Sequence, residues 1–211
     1  MSSYIMHICI SDIVRKKHNL STKFIYGSIL PDILKQTGAD RNTTHYIEKT
    51  SVDDETRDLP DIPKAIRELK DVDMDKEIKM GYIAHLVEDY IWFNKYIPSY
   101  AKKTDVGTIQ YTSDGSVHTS EEFSKDMYLD YYNAGTYVID KCKVDIEGIR
   151  KTFSNLIKDK DKLEVVLKYT EYSSQDKIEE NKFMIKESID EYISEATEEV
   201  EKIVEQLLGE L

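Results

Sequence analysis

The chain is expected to fold as an all-α, single-domain helical bundle, and three observations carry that expectation. Apolar residues recur at three- and four-residue steps through most of its 211 residues, the period of a helix with one buried face. Only 4 prolines and 8 glycines interrupt them, and hydrophobic residues make up 40% of the chain, enough for one sizeable core. Strand-like alternation is scarce, with one short extended piece suggested at 107–112.

Helices are expected over 4–18, 28–36, 62–69, 74–102, 119–142, 145–158, 160–171 and 176–208. In the first, Ile5, Ile8, Cys9, Ile10 and Ile13 make a largely core segment, and His18 ends it beside Arg15, Lys16 and Lys17, where basic side chains favour the C-terminal dipole. Ahead of Asp32, Gly27 permits a tight turn and Pro31 fixes the backbone, so the carboxylate sits on a constrained segment. Within 74–102, Ile83, Leu86, Val87, Tyr90, Ile91 and Phe93 form a broad apolar arc. Glu77, Glu88 and Lys95 group on the far side, His85 and Asp89 fall at the margin, and Gly81 leaves room for something bulky. The helix from 119 opens with Thr119 or Ser120 as cap and with Glu121 and Glu122 in its first turn. The last segment, 176–208, carries Ile185, Ile189, Tyr192, Ala196, Val200, Ile203 and Leu207 and is expected to pack on the bundle as a long amphipathic helix. The loops 37–60 and 103–117 are long, as loops that border a site usually are.

The chemistry concentrates at 81–92, where His85 and Asp89 stand one helical turn apart and aim at one point. Two ligands so placed can grip one metal ion, whereas the simpler reading is a hydrogen-bonded His–Asp pair tying a core helix to its neighbour. Asp32 is either a helix cap or a ligand, and the turn-rich segment 35–42 can swing His45 back toward it. Together Asp32, His45, His85 and Asp89 make a mixed nitrogen and oxygen set that suits zinc, with manganese or iron(II) also compatible. His118 and Glu122 repeat the four-residue spacing, followed by Asp126 and Asp130, a ladder of carboxylates that needs a facing cation or base. Read without a metal, Glu122 belongs to an ordinary helix start and His7 is a satisfied core histidine.

His7 with its neighbours Met6 to Asp12, the run Gly-Ser-Ile-Leu-Pro-Asp at 27–32, Thr-Thr-His-Tyr at 43–46 and Gly-Tyr-Ile-Ala-His-Leu-Val-Glu-Asp at 81–89 together resemble the bacterial zinc-dependent phospholipase C family, whose superfamily also holds the fungal single-strand nucleases. The resemblance covers roughly the first half of the chain. It implies an all-helical domain with one to three zinc ions at the bottom of a cleft. By match to the motif, Asp32, His45, His85 and Asp89 would hold one zinc, and Asp89 would bridge to a second that His7 helps to bind. Asp32 would be the catalytic general base toward a water acidified by the metals. Secreted members use the amino group of a processed N-terminal tryptophan as a ligand, whereas this chain starts Met-Ser-Ser-Tyr. They also carry a further histidine soon after the His–Asp helix motif, where this chain reads Ile-Trp-Phe-Asn-Lys-Tyr-Ile-Pro. His118 and Glu122, which match the family's later His–Glu pair, are the replacement expected for the remaining ligands.

A formal net charge of −12 and the lack of a basic track interleaved with aromatics argue against tight nucleic-acid binding, which disfavours the nuclease branch. No stretch is apolar enough to span a bilayer, no secretory signal is visible, and Cys9 and Cys142 read as buried thiols, so a cytoplasmic location is expected. The functional expectation is a metal-dependent phosphoester hydrolase, a phosphodiesterase resembling phospholipase C, acting on a small phosphoester or lipid headgroup-like substrate. The alternative is a non-catalytic helical metal-binding module acting through an acidic interaction surface. The two differ in whether the metal keeps an open coordination position.

Overall fold

The computed structural model describes residues 3–52 and 55–210. Its fold is all-α with two small sheets. The Ser3 side chain caps α1 (Tyr4–His18) by accepting from the Met6 amide at 3.1 Å, and Asn19 ends it in the left-handed conformation after a basic last turn. Helix α2 (Thr22–Gln36) starts well before the expected 28, because Ser21 caps it and Gly27 lies inside the helix instead of in a turn. Pro31 is likewise internal; it deprives the Gly27 carbonyl of its helical donor and opens that turn of α2.

A single turn, α3 (Arg41–Thr44), capped by Asp40, leads into the antiparallel pair β1 (Ile47–Val52) and β2 (Glu55–Pro60), with Ile47 opposite Pro60 and Val52 opposite Glu55. The expected loop at 37–60 is therefore partly a hairpin. Its strands lie on the surface and bury only Leu59 and Pro60, so no alternating pattern marks them in the sequence. After α4 (Ile62–Lys70), the expected helix 74–102 is three pieces: α5 (Lys76–Ile91), a π-helical turn at Trp92–Tyr96, and α6 (Ile97–Tyr100). The loop expected at 103–117 contains most of a small antiparallel sheet of β3 (Ala101–Lys103), β4 (Ile109–Tyr111) and β5 (Val117–His118), and β4 is the short extended piece suggested by the sequence.

Helices α7 (Ser120–Cys142), α8 (Ile146–Leu156) and α9 (Lys160–Tyr169) follow close to their expected bounds. The last helix, α10 (Lys186–Glu210), begins later than the expected 176. Asp130 on α7 is the cause: its carboxylate accepts the backbone N–H groups of Lys182, Phe183 and Met184 at 2.8–3.1 Å and holds that segment out of the helix. Asp126, one turn before, accepts from the Tyr111 hydroxyl at 2.7 Å and from Lys182 Nζ at 2.8 Å. The carboxylate ladder is thus satisfied by protein donors. Helix α10 packs against α1 and α5 through Ile189, Tyr192, Ala196, Val200, Val204 and Leu207, while Ile185 stays exposed just before it. Among the described residues, no helix is long and apolar enough to cross a membrane.

The most extensive helix pairing is α2 on α5, and it depends on two glycines. A Cβ on Gly81 would fall closer than 3.0 Å to the carbonyl oxygen of Phe24 and the amide of Ser28, and one on Gly27 would meet the Ile78 carbonyl as closely. The space beside Gly81 is filled by the backbone of α2, not by a bulky side chain or ligand. Because that obstacle is backbone, it cannot swing aside as a side-chain tip can. Gly81→Ala is therefore expected to destabilise the fold by about 3 kcal/mol or more in urea unfolding. Gly209→Ala, whose Cβ meets nothing, should leave the midpoint within about 0.5 kcal/mol of wild type.

Candidate metal centre

The α2–α5 crossing brings Asp32 of α2 to His85 and Asp89 of α5, α1 adds His7, and His45 follows directly on α3. All five side chains are buried at 0% exposure. Asp89 is the hub: its Oδ2 lies 3.7 Å from His85 Nε2 and 3.9 Å from His45 Nε2, and its Oδ1 lies 3.8 Å from His7 Nε2. His45 Nε2 is also 3.2 Å from Asp32 Oδ1, and the rings of His7 and His85 stack at 4.1 Å. The separations around Asp89 are too long for hydrogen bonds. They are near the roughly 3.3–3.6 Å that separates two ligands of one ion held tetrahedrally at 2.0–2.2 Å. The His85–Asp89 pair is thus not a simple hydrogen-bonded one.

Each imidazole is held from behind through Nδ1. His85 Nδ1–H donates to the Ser28 carbonyl at 2.8 Å, in the turn of α2 that Pro31 opens. His45 Nδ1–H donates to Thr44 Oγ1 at 2.9 Å, and that hydroxyl donates onward to the Arg41 carbonyl at 3.3 Å. His7 Nδ1 meets Glu88 Oε2 at 2.8 Å. Assigned from these partners, the three Nε2 atoms face inward toward carboxylate oxygens, the arrangement by which outer hydrogen bonds orient metal-binding histidines. Two buried atoms at the centre, His85 Nε2 and Asp32 Oδ2, have no hydrogen-bond partner. Lone pairs converging on carboxylates in a dry site call for a cation between them, so these residues fit a metal.

The acid–base state agrees. Burial drives the His7 imidazole well below its usual range, helped by the adjacent His85, and burial likewise lowers His85. Burial alone would raise Asp32 and Asp89, but the His45 hydrogen bond and nearby imidazoles hold Asp32 below the usual carboxylate range, and the surrounding imidazoles help to do so for Asp89. Neutral imidazoles with ionised carboxylates are the form that binds a metal.

The ligating atoms fall into two overlapping sets, His7, Asp32 and His85, and His45, His85 and Asp89, each within 4.8 Å. His118 and Glu122 join neither. His118 stacks on the Tyr111 ring at 3.9 Å and meets Ser116 Oγ at 2.7 Å. Glu122 forms a capping box with Thr119, and 4.0 Å separates it from His118.

Glu88 is a correction to the sequence reading, which put it on a solvated far side. It is buried at 0% exposure, and burial beside Asp89 pushes its carboxyl well above the usual range. Helix α5 has no solvated face there, because every residue from Lys79 to Asp89 is buried under neighbouring helices. The available signal was a lone glutamate inside an apolar run that already held a histidine and an aspartate. The margin assigned to His85 and Asp89 is likewise interior.

A cavity of about 240 Å³ has a lining that includes Tyr4, Tyr128, Tyr131, Tyr169, Lys168 and Glu171, and none of the five cluster residues is part of its wall. The charge of Asp32 adds to the burial that raises the Tyr4 and Tyr128 hydroxyls, and that of Asp89 acts the same way on Tyr131.

Comparison with known proteins agrees with this geometry. The zinc dependent phospholipase C family matches residues 6–202, and the chain belongs to that family. No curated protein and no solved structure matches the chain significantly.

Glu88→Gln is expected to weaken metal binding about 10–100-fold in competition with a chromophoric chelator, because an amide is a poorer acceptor behind His7. Metal-free protein should be acid-labile. His7 and His85 have lowered native values, so as pH falls through the ordinary histidine range the unfolded chain takes up protons that the native state resists, while the raised Glu88, which holds its proton more firmly when folded, opposes part of this. With two histidines against one glutamate, stability should fall as the pH is lowered through that range, as read from urea unfolding of chelator-treated protein.

Proposed function

We propose that this chain is a zinc-dependent phosphoester hydrolase acting on a small phosphoester or a lipid headgroup. The observation that supports it most is the convergence of three outward-anchored imidazoles and two carboxylates in one buried site. In this reading Asp32, His45, His85 and Asp89 would hold the principal zinc, and His7 together with Asp89 would help to hold a second. Bound zinc supplies an acidified water as nucleophile and neutralises charge on the phosphoryl group.

The chain's own residues do the rest. In this reading Asp32 would be the general base, which is supported by its buried Oδ2 having no protein donor on it. Ser28, Thr44 and Glu88 fix the three rings so that their Nε2 atoms need not reorganise. The tyrosine-lined cavity, at about 240 Å³, is below the range of about 300–1,000 Å³ common for drug-sized ligands and suits a headgroup better than a whole lipid. Lys168 at its wall offers a cation to a phosphate.

The complete burial of the five residues supports a second reading, a structural metal in a non-catalytic module whose acidic surface binds a partner. Asp89→Asn separates the two. The hydrolase reading expects metal content by elemental analysis and turnover of a chromogenic phosphodiester to fall together, turnover by at least about 100-fold. Wild-type protein that holds stoichiometric zinc yet turns over neither phosphodiester nor phosphomonoester reporters would favour the structural reading.

A further inference from the structure

Ser116, His118 and Glu122 stand together where the β4–β5 turn runs into α7, and the buried metal centre uses none of them. Ser116 Oγ lies 2.7 Å from His118 Nε2, and Glu122 Oε2 lies 4.0 Å from His118 Nδ1 on the other side of the ring. A hydroxyl, an imidazole and a carboxylate in that order are the parts of a hydrolytic triad. We propose that Ser116 is the nucleophile of a second, metal-independent site that takes acyl groups from small activated esters, with His118 as its base and Glu122 orienting that base.

Each of the three is held by its own contacts. Gly115 takes the left-handed conformation and donates its amide to the Tyr111 carbonyl at 3.0 Å. Ser116 accepts the Tyr111 amide on its carbonyl at 2.9 Å and donates its own amide to Asp114 Oδ1 at 2.9 Å, so its backbone is fixed at the end of the turn. The His118 ring stacks on Tyr111, whose hydroxyl donates to Asp126 at 2.7 Å. Glu122 accepts the Thr119 amide at 2.8 Å and the Thr119 hydroxyl at 3.0 Å, bonds that hold its carboxyl below the usual range and keep it anionic. Facing that carboxylate, His118 carries its proton on Nδ1 and leaves Nε2 to accept from Ser116, an assignment made from these partners. The 4.0 Å gap is longer than a hydrogen bond, as such pairs often are before a substrate binds. Asp114 is the other acceptor near the Ser116 hydroxyl, but an imidazole is the stronger base and takes the proton in the reaction. Ser116 and His118 are half-buried, which leaves the hydroxyl open to a small substrate.

The reaction needs only ester and water. Ser116 Oγ forms a bond to the ester carbonyl carbon as His118 Nε2 takes the hydroxyl proton, and the bond from that carbon to the leaving oxygen breaks as His118 returns the proton to it. Water then attacks the acyl-serine, His118 takes one of its protons, and that proton goes back to Ser116 Oγ as the acid departs. Gln110 Nε2 donates one N–H to the Gly115 carbonyl at 3.1 Å, beside Ser116, and has a second to offer the oxygen that becomes negative.

The test treats the full zinc-loaded chain with a fluorophosphonate probe and maps the adduct by peptide mass analysis. A metal-bound water leaves no covalent adduct on the chain, so labelling separates this site from the metal centre. Expected are one adduct on Ser116, no adduct in Ser116→Ala, and labelling at least about 10-fold slower in His118→Asn, the loss that removing a general base brings. Glutamine also serves in a capping box, so Glu122→Gln keeps the helix start while removing the charge, and it should label several-fold more slowly at unchanged helix content by circular dichroism. Hydrolysis of p-nitrophenyl acetate should fall in the same order across the three variants. No adduct on Ser116, equal labelling in His118→Asn, or wild-type labelling in Glu122→Gln would overturn the proposal.

Discussion

The contact on which the structure depends is the backbone-to-backbone crossing of α2 and α5 at Gly27 and Gly81. It sets the distance between the helices, and that distance determines whether Asp32 can stand beside His85 and Asp89. It also brings the Ser28 carbonyl to His85 Nδ1 at 2.8 Å, so the close approach that builds the core orients a ligand as well. Side chains larger than hydrogen at either glycine would separate the helices and dissolve the site before any ligand was touched.

Around that crossing the protein buries six ionisable side chains, His7, Asp32, His45, His85, Glu88 and Asp89, in one interior volume. Burying charge is costly unless it is paired. Here the pairing is layered: backbone and side-chain acceptors engage the outer ring nitrogens, and the inner nitrogens face carboxylates across gaps that suit a cation. The inner polar atoms left without protein partners connect the fold to metal chemistry, and the family to which the chain belongs agrees with that reading.

A comparable economy operates at the other end of α7. Thr119 and Glu122 cap the helix, Asp126 and Asp130 hold the segment before α10, and Tyr111 links β4 to α7 through Asp126. Residues whose spacing suggests ligands are there employed in holding loops. The same four-residue repeat thus contributes to a buried His/Asp cluster on α5 and to scaffolding on α7, and what separates them is burial: His85 and Asp89 are at 0%, whereas the His118 and Glu122 side chains are 27% and 57% exposed.

The sequence by itself determined the helical class, the bounds of α1, α7, α8 and α9 to within a few residues, and the candidate ligands His7, Asp32, His45, His85 and Asp89. Local periodicity records the helices and one-turn spacing the His85–Asp89 pair, whereas Asp32, His45 and above all His7 joined that pair through the resemblance to the phospholipase C motifs. It did not reveal the β1–β2 hairpin, whose exposed strands leave no alternation, or the late start of α10, set by Asp130 from 52 residues away. Nor did it show that Glu88 is interior or that His118 and Glu122 stand outside the five-residue cluster. Each of these depends on which helix covers which face, and that is a long-range packing outcome that no local residue pattern records.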